Sequence, residues 1–154
     1  MCVLNYDLHQ LVPHRGTMLL LDRALEVSAT EAKAIVSITP ESSFYMPVRG
    51  VPSWIGLEYM GQTAAMIAGL QMKQNQLEPH MGMLLGTRKY NNTVPWFALG
   101  SELEIHCWEH AVAAGGLAMF CGQIREVNSG EVLASAKLTV YRKPLSEPSG
   151  KKYE

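Results

Sequence analysis

The sequence predicts an α+β fold in which one long helix is wrapped by a curved antiparallel sheet. Three observations point there. A hydrophobic stretch begins at the Gly50-Val51-Pro52 break, and from there to Leu70 its only polar residues are Ser53, Glu58, Gln62 and Thr63. A helix apolar on every side is normally buried and needs cover all round. The second half of the chain then alternates polar and apolar residues between turn signals, the pattern of half-buried strands. There is no repeat and no second hydrophobic unit.

Taken in order, Leu8 to Val12 is a short helix before the Pro13-His14-Arg15-Gly16 turn. Met18 to Asp22 and Ala24 to Val27 are extended and apolar, and Ala32 to Ile38 is a second strand. Pro40 to Pro52 is an irregular loop, and the central helix follows over Ser53 to Gln74. Small residues on that helix (Gly61, Ala64, Ala65, Ala68, Gly69) allow close approach of a neighbour. Met81 to Tyr90 is a strand. In Ser101 to His110, Leu103, Ile105 and Cys107 share one face. Gly115-Gly116 turns the chain into Leu117 to Val127, and Asn128-Ser129-Gly130 marks a hairpin because Asn and Gly tolerate positive φ. Glu131 to Lys143 closes the sheet, with Val132, Ala134, Ala136, Leu138 and Val140 on one side. Residues 1–143 form the domain, and the Pro/Ser/Gly/Lys-rich residues 144–154 are expected to be a disordered tail.

Bulk properties narrow the function. A chain of 154 residues is large enough for one core. The net charge of −1, with no basic block, speaks against nucleic-acid binding. No run reaches the roughly 18 apolar residues needed to cross a bilayer. The opening lacks a basic segment followed by an apolar one, so no secretory signal is expected and the cytosol is the expected compartment. Cys2, Cys107 and Cys121 form no C-x-x-C pair, and their odd number argues against a disulfide framework. Cys107 and Cys121 either face each other across a hairpin near Ala114 or are small buried hydrophobes, the plainer reading.

Glu58 is the residue that needs explaining, because a carboxylate is rarely buried unless paired or used. Gln62 lies one turn on, on the same face. His106 and His110 suggest a metal, but strand residues four apart are about 13 Å from each other, too far to share an ion. No metal is expected. The dispersed cations Arg49 and Arg88 suit either an acidic carrier or ordinary surface charge. Methionines such as Met60, Met66, Met81 and Met83 suit a pliable acyl tunnel or plain core filling.

Three blocks resemble the hotdog-fold 3-hydroxyacyl-thioester dehydratases of fatty-acid synthesis. Leu11-Val12-Pro13-His14-Arg15 with Met18 to Arg23 is similar to that family's P-H-R-x-x-x-L-L-x-D-R opening. Pro52 to Gln62 is similar to its P-G-x-x-x-[IL]-[ED]-x-[ML]-x-Q helix start, and Met83 to Tyr90 to its central strand. The wording around Trp54, Glu58 and Gln62 is closest to the dehydratase-like proteins of aryl-polyene pathways.

The resemblance implies a hotdog domain acting on an acyl thioester carried on phosphopantetheine, from acyl carrier protein or coenzyme A, with no further cofactor. It implies a homodimer, or a heterodimer with a second hotdog chain. Glu58 would be the acid that protonates the departing hydroxyl, and a backbone N–H at Ser53 would hold the enolate oxygen. An acid working near neutral pH must carry a proton, which dry apolar surroundings favour, and a helix N-terminus offers free donors. Gln62, Trp54, Val51 and Phe44 would lie along the substrate, although the plainer reading of Gln62 is structural, orienting Glu58 or packing at the interface.

One element of the family pattern is missing. Its catalytic histidine lies fourteen residues before the carboxylate, where this chain has Phe44, or Tyr45 with one deletion. Tyr45 can donate a hydrogen bond but is a poor base, since a phenol with pKa near 10 is only about one part in a thousand ionised at neutral pH. Three arrangements repair the site. His14 folds in from the opening loop, although a structural histidine is its plainer reading. A partner chain supplies the histidine across a dimer interface. Or Glu58 acts alone as the base or nucleophile of a thioesterase. A non-catalytic subunit that completes a dehydratase partner is the remaining reading.

Overall fold

The computed structural model describes residues 6–75 and 80–144. The chain begins with α1 (Leu8–Leu11), whose start is fixed by a capping box. The Asp7 carboxylate accepts the Gln10 N–H, and the Gln10 side chain accepts the Asp7 N–H. Strands β1 (Arg23–Val27) and β2 (Glu31–Ser37) follow as a hairpin, then the short β3 (Val51–Pro52) and α2 (Gly56–Lys73). The remaining elements are β4 (His80–Asn92), β5 (Trp96–Phe97), β6 (Glu102–Val112), β7 (Leu117–Glu126) and β8 (Val132–Pro144).

Six strands form one sheet in the order β1-β2-β6-β7-β8-β4, with every pairing antiparallel. Strands β6, β7 and β8 make the expected meander. Strand β4, first in sequence among the later strands, sits on the outer edge beside β8. Leu103, Ile105 and Cys107 of β6 are fully buried, as the alternation predicts. The expected face of β8 holds for Ala134, Ala136 and Leu138, but it fails at the strand's start. Leu133 is buried and Val132 exposed, because a bulge between Ile124 and Arg125 skips Leu133 and shifts the parity.

Helix α2 lies across the concave face, with eleven residues buried, including Tyr59, Met60, Met66, Ile67 and Leu70. A 3-10 turn over Ser53–Ile55 precedes it, so the expected helix start is right in place and only its first turn is tighter. Tyr59 stacks on Phe97 with ring centroids 6.0 Å apart, and burial pushes its phenol well above its usual range. The Cys107 thiol is buried, donates to the Met60 carbonyl at 3.2 Å and is pushed up by desolvation. Cys121 pairs in register with Trp108, one position away from Cys107, so the two thiols do not face each other.

The opposite side of α2 is closed by the opening segment. A Cβ on Gly69 would lie 1.8 Å from the Leu11 carbonyl oxygen, so only glycine lets α1 rest on α2 there. The tail expected after Pro144 lies outside the described residues.

Candidate active site

Glu58 stands in the first turn of α2 and is half-buried. It is not enclosed on every side as the sequence suggested, because the small side chains beside it leave a cavity. That cavity, of about 730 Å³, runs between the loop after α1, the outer side of α2, and β4, β7 and β8. Its wall includes His14, Arg15, Glu58, Gly61, Ala65 and Arg142. Leucine or phenylalanine at Gly61 or Ala65 would fill it.

Three features make the wall chemically active. The Glu58 carboxylate has no hydrogen-bond partner among the described residues. The Nδ1 atom of His14 and the Nη2 atom of Arg142 are buried and also unpartnered among those residues, which is costly unless a ligand or water meets them. Desolvation lowers the His14 pKa below its ordinary 6.5; the nearby Glu58 carboxylate raises it in part, and Arg15 lowers it again. The Arg142 guanidinium lies 6.0 Å from the Phe120 ring centre.

The loop that carries His14 is held by its neighbour. Arg15 donates from Nη1 to the carbonyls of Val12 (2.6 Å) and His14 (2.7 Å), and from Nη2 to that of His9 (2.7 Å). Gln62 fastens the next stretch: its oxygen accepts the Leu20 N–H at 2.9 Å and its nitrogen donates to the Met18 carbonyl at 2.8 Å.

The other expected site residues fall elsewhere in this protomer. Gln62 is buried with its amide spent on the loop, so it positions the chain and does not meet the cavity. Val51 is a core residue, wholly buried and paired with Phe97. Gly50 precedes it at φ +110°, where a Cβ would strike the Phe97 carbonyl at 2.1 Å. Ser53 is buried and its N–H donates to the Pro95 carbonyl at 3.0 Å, so that group is not free to hold an enolate oxygen. The Tyr90 hydroxyl donates to the Ser53 carbonyl, and burial pushes the Tyr90 pKa up to about 12. Trp54 is 62% exposed and tilts against Trp96, over which Arg49 lies at 5.4 Å. Phe44 is exposed, and Tyr45 packs against the core cluster. Neither lines the Glu58 cavity.

His14, for which a structural role was the plainer reading, shares the cavity with Glu58, forty-four positions later. The signal for it was its place in the P-H-R block together with the lack of any histidine between His14 and His80. His106 pairs with Glu31 at 3.0 Å and packs against Trp108 on the outer sheet face. Among the described residues, no three His, Cys, Asp or Glu side chains converge as a metal site, and no helix is long and apolar enough to cross a membrane.

A carboxylate-bearing helix wrapped by a six-stranded antiparallel sheet, with a cavity along it, defines a hotdog-fold protein. The chain belongs to the ApeP-like family, whose model, described as ApeP dehydratase, matches residues 6–149. It is 30% identical over 126 residues to the 3-hydroxyacyl-[acyl-carrier-protein] dehydratase FabZ of Anaeromyxobacter sp. (strain K), covering 76% of this chain and 81% of that one. The dehydratase heterocomplex ApeI:P from Xenorhabdus doucetiae contains a chain similar to it at TM-score 0.80 and 25% identity, covering 91% of this chain and 93% of that one. The Escherichia coli PaaI protein, at TM-score 0.61 and 9% identity over 77% of this chain and 81% of that one, shares the fold.

Proposed function

We propose that this chain removes water from 3-hydroxyacyl thioesters in fatty-acid or polyene synthesis. The thioester arrives on the phosphopantetheine of an acyl carrier protein, or on coenzyme A. The observation that carries this reading is the unpartnered Glu58 carboxylate on the wall of a cavity of about 730 Å³, in a chain of a dehydratase family. Glu58 gives its proton to the departing hydroxyl. With the Ser53 N–H spent on Pro95 and Ile55 inside the 3-10 turn, the N–H of Trp54 is the donor left at the helix start for the enolate oxygen.

The working form is a dimer with a second copy or a second hotdog chain, through β4. That strand is bonded on one side only and exposes Met83, Leu84 and Leu85, an edge that proteins normally cover. In the loop before β3, Phe44 and Val48 are exposed with φ of +68° and +72°, costly for bulky residues in the absence of a partner to seat them. This same feature supports a second reading, in which the chain completes the site of a histidine-bearing partner.

The test uses the purified chain with a 3-hydroxyacyl thioester and its 2-enoyl counterpart, following water loss or addition and thiol release together. Interconversion that Glu58→Gln abolishes supports the dehydratase. Glu58-dependent thiol release replaces it with a thioesterase. Activity only after adding a hotdog partner favours the second reading.

A further inference from the structure

We infer that His14 is the base of the Glu58 site, taking the C2 proton of the 3-hydroxyacyl thioester from within the same protomer. The inference rests on the dehydratase reading and supplies the group that reading lacks.

Four observations carry it. His14 and Glu58 line one cavity. The His14 Nδ1 atom is buried and has no partner among the described residues. The imidazole is held in place, because Arg15 clasps three carbonyls of its own loop and Leu11 rests on Gly69 of α2. The loop where the family's histidine would stand brings neither Phe44 nor Tyr45 into the cavity. A base needs to be unprotonated and within reach of its proton. Desolvation keeps the imidazole neutral near pH 7 against the opposing pull of Glu58, and Arg15 beside it disfavours a further positive charge.

The step balances. The imidazole takes the proton from C2, and the C2–H electron pair moves into an enolate on the thioester oxygen; as the carbonyl reforms, that pair becomes the C2–C3 double bond and the C3–O bond breaks. The hydroxyl leaves as water with the proton of the Glu58 carboxyl. Transfer of the proton from the imidazolium to the Glu58 carboxylate restores both groups.

The experiment compares the full-length wild type with His14→Ala, His14→Gln and Glu58→Gln on a 3-hydroxyoctanoyl pantetheine thioester, with circular dichroism as the folding control. The expected result is a rate loss of at least about a hundredfold in both His14 variants, with free imidazole restoring activity to His14→Ala. Nitrogen-15 spectra should place the His14 pKa lower in Glu58→Gln than in wild type, a readout independent of turnover and of any unfolded variant. Wild-type rates in the His14 variants would overturn the base while leaving the dehydratase standing. A His14 titration indifferent to Glu58→Gln would also overturn it. A wild type inert on the substrate would remove the dehydratase reading and the role of His14 together.

Discussion

The side-chain oxygen of Gln62 accepts the Leu20 N–H at 2.9 Å, and this bond ties the opening loop to the helix that carries Glu58. The amide nitrogen closes a second bond to Met18, and the side chain is 1% exposed. Gln62→Ala leaves two backbone groups unpaired and opens a small void. Each lost partner costs about 1–3 kcal/mol, so chemical denaturation should show a destabilisation of that order. Gln62→Glu should fall between the variant and wild type.

The contact between Gly69 and Leu11 gives a sharper prediction. A methyl group there meets backbone rather than a flexible side chain. Gly69→Ala therefore pushes α1 away, with an overpacking cost of about 1–3 kcal/mol. The loop bearing His14 moves with α1, so turnover should fall although position 69 touches no reacting atom. Gly61→Ala, whose added carbon would meet only Leu84 at 3.7 Å, should fold normally.

Much of this was legible in the sequence because it is local. The buried face of β6, the short helix at Leu8 and the Asn128-Ser129-Gly130 hairpin follow from residues within a few positions of one another, and Glu58 was marked by its apolar setting. What was not legible depends on contacts between distant segments. The skipped Leu133 needs a partner strand to define the bulge, and the place of β4 beyond β8 is a matter of topology. The Ser53 N–H looked free until Pro95, far along the chain, took it. Gln62 was recognised as a polar residue in a buried helix, but its partners Met18 and Leu20 lie in a stretch that reads as extended and apolar, with nothing local to tie it to that helix. His14 and Glu58 each appeared as candidates, and the fold alone brings them to one cavity.

The buried imidazole also sets a pH dependence. Its native pKa lies below the ordinary 6.5, chiefly through desolvation. The unfolded chain therefore binds more protons as the pH drops below 6.5, and the native state loses stability from there down through the native value. Above 6.5 the contribution is constant. His14→Gln should lose less stability than wild type between pH 8 and pH 5 in denaturant titrations, with the two converging in slope at alkaline pH.

The exposed edge of β4 predicts the assembly. Leu85 is 56% exposed on a strand bonded to β8 alone. Leu85→Lys should shift the protein from dimer to monomer in light scattering, with its circular dichroism spectrum unchanged. A dimer that persists would place the interface elsewhere.

The roles of Glu58 and His14 are decided by a crystal structure with a 3-hydroxyacyl pantetheine amide, in which nitrogen replaces the reactive sulfur. The acyl group should lie in the cavity along α2, with its C3 hydroxyl about 2.6–3.2 Å from the Glu58 carboxylate and its C2 turned toward His14. An acyl group seated outside that cavity, or a C3 hydroxyl turned away from Glu58, would contradict those roles.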